Sequence, residues 1–242
     1  MDIGNSVRKA IADHESGDLD PAMIHACNAI DGTAAKVYPN LTGNAVRFKK
    51  LLRENCLNVI EPMAPTINLV ETVFPVQIQS PRSSGRALDF ADILYVIHRC
   101  NHNHGEPLPV GFELLPDALG KLPGTRMTFD KNLAGQWVVR FSDRIIFGML
   151  AAALLSPANA DQKIPDGYHM TYASVTGDIR VRLDNDWWGR AADFTAITAM
   201  DQKRTRVKLD FSNVMPAPSA PPSAPRNANR QQQRRRRHTG AA

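Results

Sequence analysis

Long apolar runs are missing from this sequence. The longest, "IIFGMLAAALL" at residues 145–155, falls short of the ~20 residues a membrane-spanning helix needs, so it reads as a buried helix and no membrane partner is expected. Cysteine is scarce. Cys27, Cys56 and Cys100 are odd in number and far apart, which excludes a disulfide framework and points to a reducing, cytoplasmic setting. The first twenty residues, "MDIGNSVRKAIADHESGDLD", lack the apolar centre of a secretory signal. Acidic residues are absent from Pro216 onward, and this absence relocates the charge. The chain carries +5 in all, yet its first 215 residues hold 23 basic against 24 acidic side chains. The basic character belongs to the tail.

What is present suits a globular chain of 242 residues with 43% hydrophobic content. Asp20-Pro21 marks a helix start, a capping carboxylate followed by proline, and the helix should end at Tyr38 before Pro39. A second helix is expected over about 44–60, with Val46, Leu51, Leu52, Cys56, Val59 and Ile60 buried and "RFKKLLRE" supplying the wet side. Residues 61–86 read as a loop, and a third helix as running from about Ser84 to His102. After Gly105 the short runs "VGFELL", "TRMTFD" and "GQWVVRF" suggest a small sheet, followed by a helix over 142–155. "DIRVRLD" and "RVKLDFS" look like further strands. The expected fold class is therefore mainly α with a smaller β-containing C-terminal part. Three regions follow: a helical region at 1–110, a mixed continuation of the same globular unit at 111–215, and a Pro/Arg-rich tail at 216–242 that cannot repay its ordering entropy.

Chemistry concentrates in "HRCNHNHGEPLP", residues 98–109. His98 and His102 would share a helix face, but no second cluster offers further ligands at zinc spacing, so neither a metal nor another cofactor is expected. Arg99 and His104 form an R-x4-H pair. A guanidinium can hold a phosphate by paired hydrogen bonds, and an imidazole titrates near neutrality and can move a proton. Asp92, Tyr95, Arg99 and His102 fall on one side of a helix, so Asp92 or Tyr95 could orient Arg99, with Asn101 beside it. The blander alternative is that Arg99 and His104 simply complement the helix's negative end. The other pair of this spacing, Arg8 and His14, reads as a solvated face with no chemistry. Trp187 and Trp188 read as packing residues, and Asp184 and Asp186 lack the partners a two-metal nuclease requires.

The wider stretch "ALDFADILYVIHRCNHNHGEPLP" resembles the third helix of HEPN-type proteins, in which an aliphatic run leads to Tyr, then "RC", then His and a Gly/Glu pair. Tyr95, Arg99, Cys100, His104, Gly105, Glu106 and Leu108 carry the likeness; "AIDGTAAKVYP", "RFKKLL", "LLSPAN" and "DNDWWG" add to it less specifically. The resemblance implies a helical bundle core that pairs as a homodimer through the third helix. It further implies a metal-independent endoribonuclease with Arg99 and His104 catalytic and Asp92, Tyr95, Asn101 and His102 supporting. RNA would be the partner. Arg230, Arg234, Arg235, Arg236 and Arg237 of the tail could add phosphate contacts, or merely keep the chain in solution. The alternative is a non-catalytic module of the same type that binds RNA, an antitoxin or a regulatory protein.

Overall fold

Asp2 starts the first helix. Its side chain accepts the Asn5 backbone N–H at 2.9 Å, and α1 runs over Ile3–Glu15 with Ile3, Val7, Ala10 and Ile11 buried at helical spacing. The structure is a computed structural model that describes residues 2–63, 68–74, 88–96, 112–117, 127–132, 135, 137–174 and 179–199. The expected strand "RVKLDFS" and the tail lie outside the described residues.

The second helix, α2, spans Leu19–Val37 and begins two residues earlier than its sequence signal suggests, with Asp18 rather than Asp20 as the N-cap residue. Pro21 is tolerated because the first-turn N–H groups have no helical partner to lose. Thr33 sits fully buried in this helix and donates its hydroxyl to the Ala29 carbonyl at 2.7 Å.

The single helix expected over 44–60 is instead broken in two. α3 covers Asn44–Glu54, and a π-helical turn follows at Cys56–Ile60. The Asn55 carbonyl accepts both the Val59 and the Ile60 N–H at 3.0 Å, which widens the turn by one residue. Leu51, Leu52, Cys56, Val59 and Ile60 are buried as expected; Val46 is not, and lies half exposed at the start of α3. Part of the expected loop is also helical: α4 occupies Glu61–Met63.

The third helix starts later than Ser84. The Phe74 N–H donates to the Leu88 carbonyl at 2.9 Å in an isolated antiparallel bridge, so Leu88 is buried in extended chain. Asp89 then caps α5, Phe90–Ile93, by accepting the Asp92 N–H at 2.8 Å, and a widened turn continues to residue 96.

The β part is small. β1 (Phe112–Leu115) runs parallel to β3 (Trp137–Ser142), and β2 (Met127–Lys131) pairs antiparallel on its other side. α6 (Arg144–Leu155) follows β3 at once, and ten of its twelve residues are buried. An all-round apolar helix must be enclosed. α2, α4 and the π-helical turn pack around it, and Gly148 lets Ile60 approach so closely that a Cβ would lie 3.3 Å from the Ile60 carbonyl oxygen. β4 (Met170–Ala173) and β5 (Arg180–Leu183) form a separate hairpin-like pair, with Tyr172 facing Val181 and Met170 facing Leu183. α7 (Ala191–Ile197) buries Phe194 beneath Tyr172. The fold is mainly α with a smaller β-containing part, and one apolar core runs from Ile3 to Phe194.

Candidate functional site

Among the described residues, two places gather charged side chains against a buried carboxylate, and they lie on different elements. The first is the root of the motif-bearing segment. Lys49 on α3 donates to Asp92 at 2.9 Å, while Arg53 reaches Asp89 at 2.7 Å and Asp92 at 3.3 Å. Burial alone would lower the Arg53 pKa; Asp89 and Asp92 outweigh it and hold the guanidinium protonated above its ordinary value. Tyr95 sets its ring edge-on to Phe48 at 5.3 Å between centroids. Asp92 and Tyr95 thus stand on neighbouring turns against α3, and Asp92 already holds two cations that the sequence assigned only to a wet helix face. Arg99, Cys100, Asn101, His102 and His104 lie outside the described residues, as do Arg230, Arg234, Arg235, Arg236 and Arg237.

The second place is a cavity of about 440 Å³ between the end of α1, α4, the start of α6 and β4. His14 enters it from the last turn of α1 and shares a hydrogen bond of 3.0 Å with Asp143, the residue that joins β3 to α6. Asp143 is buried, which on its own would raise its pKa. Hydrogen bonds from His14, from the Asp117 backbone N–H and from the Ser142 hydroxyl overcome this and keep the carboxyl below its ordinary value. An ionised carboxylate only accepts, so the proton in this hydrogen bond is carried by His14 Nε2. The ring packs edge-on against Phe147, 4.6 Å between centroids. Beside it, Arg144 forms an ion pair with Asp117.

The reading of His14 as part of a solvated face is therefore corrected: its imidazole is about three-quarters covered and bonded across the fold. No local pattern could have found the pair, since the two residues are 129 positions apart. Asp143 carried one weak signal, an acid at the entry to an apolar helix run.

The remaining candidates are structural. Trp188 is buried, and Trp187 packs edge-on to Phe194, with the Arg190 guanidinium over the Trp187 ring 5.1 Å from its centroid. Asp184 accepts the Asp186 N–H at 3.3 Å and starts a short 3-10 turn. Among the described residues no group of three metal-binding side chains occurs, and no helix is long and apolar enough to cross a membrane.

Comparison with known proteins adds kinship. The Rv1289 family matches residues 2–215. Two relatives, the uncharacterized proteins Rv1289 of Mycobacterium tuberculosis and Mb1320 of Mycobacterium bovis, are each 33% identical over 217 residues, covering 88% of this chain and 95% of their own. No solved structure matches the chain.

Proposed function

The chain belongs to the Rv1289 family, and within it we propose a metal-independent endoribonuclease of HEPN type, acting as a homodimer in the cytoplasm. The observation behind this reading is the order of residues along one stretch: Asp92 and Tyr95 at a helix start, then Arg99, then His104 before Gly105 and Glu106. Support comes from the way α3 clamps that start through Lys49 and Arg53, which gives the following residues a fixed root.

In this mechanism the guanidinium of Arg99 holds the scissile phosphate and offsets its developing charge. The RNA 2′-hydroxyl oxygen attacks phosphorus and the bond to the 5′-oxygen breaks. His104 either takes the 2′-hydroxyl proton or gives one to the departing 5′-oxygen. The products are a 2′,3′-cyclic phosphate and a free 5′-hydroxyl. A two-fold axis would let Arg99 of one subunit serve with His104 of the other. The tail arginines, Arg230 and Arg234 to Arg237, add sequence-independent phosphate contacts.

The test is a cleavage assay in chelator. RNA cutting should persist, stop in both Arg99→Ala and His104→Ala, and stop on a substrate with a 2′-deoxy sugar at the cut site. Cutting of DNA, or dependence on a divalent ion, overturns the mechanism.

One observation favours a second reading, a non-catalytic module that binds RNA, an antitoxin or a regulatory protein. Asp92 is engaged by Lys49 and Arg53, so it has a structural task independent of Arg99. Deleting residues 216–242 separates the two: a catalytic core still cuts, whereas a tail-dependent binder loses RNA retention.

A further inference from the structure

We draw no further inference here: the strongest candidate, the cavity of about 440 Å³ between the end of α1, α4, the start of α6 and β4, carries none, because Asp143 and Asp117 on its wall are already paired with His14 and Arg144 and nothing in the structure points to what would occupy it.

Discussion

His14 and Asp143 stand 129 residues apart in the chain and 3.0 Å apart in the fold. That hydrogen bond ties the C-terminal turn of α1 to the junction of β3 and the enclosed helix α6. Asp143→Ala removes a charged acceptor from a buried position and should cost about 1.5–3 kcal/mol at pH 7. Urea unfolding of both proteins measures it.

The same pair predicts a pH signature. The folded-state pKa of Asp143 is depressed, so its contribution is complete above the unfolded value and is lost as pH falls through the folded one. The stability gap between the native chain and Asp143→Ala should therefore narrow as pH falls below about pH 4. A gap that widens below about pH 4 would contradict the assignment.

Asn159 closes another long-range link. Its side-chain amide donates to Thr33 Oγ1 and to the Ala153 carbonyl, both at 2.8 Å and both buried. Asn159→Ala leaves those acceptors short of a donor and opens a small void. A loss of about 3 kcal/mol is expected, read as a shift in the urea midpoint at unchanged slope.

Two glycines with positive φ should respond unequally to alanine. Gly135 (φ +74°) faces open space and bears only the cost of left-handed backbone, about 1–2 kcal/mol. Gly189 (φ +79°) bears that cost too, and a Cβ there would lie 2.8 Å from Ala160 Cβ. Gly189→Ala should be the more destabilising by at least about 1 kcal/mol. Thermal unfolding of the two variants, side by side, decides it.

Asp92→Asn separates a structural from an orienting role. It weakens the contacts to Lys49 and Arg53 and should lower stability by about 1–3 kcal/mol. If Asp92 also orients Arg99, RNA cleavage falls further than the folded fraction does; if it does not, cleavage per folded molecule stays level.

Much of the helical layout was legible in local pattern. The apolar stripes of α2 and α3 and the enclosed α6 follow from spacing alone, because a helix repeats its buried face every three to four residues. Three features were not legible. Asn55 breaks a continuous amphipathic stripe through a shared carbonyl, which leaves no trace in hydropathy. α1 carries only three apolar side chains larger than alanine at its buried positions, Ile3, Val7 and Ile11, and depends on α2 for cover. β4 alternates over just four residues, too few to separate from chance. Of the candidate site, Asp92 and Tyr95 are seen in place beside α3, whereas the cavity around His14 was wholly hidden.

The sequence by itself determined where most helices lie, that the tail is basic and the first 215 residues near neutral, and which short stretch carries an arginine and a histidine together. Periodicity, composition and charge are local quantities, and a chain displays them before it folds. Only the tertiary structure decided that His14 meets Asp143, that Thr33 meets Asn159, and that Lys49 and Arg53 converge on Asp92. The first two contacts exist because burying α6 draws distant segments together, and the polar groups carried inward with them must find each other or remain unsatisfied; the third follows from α5 packing on α3.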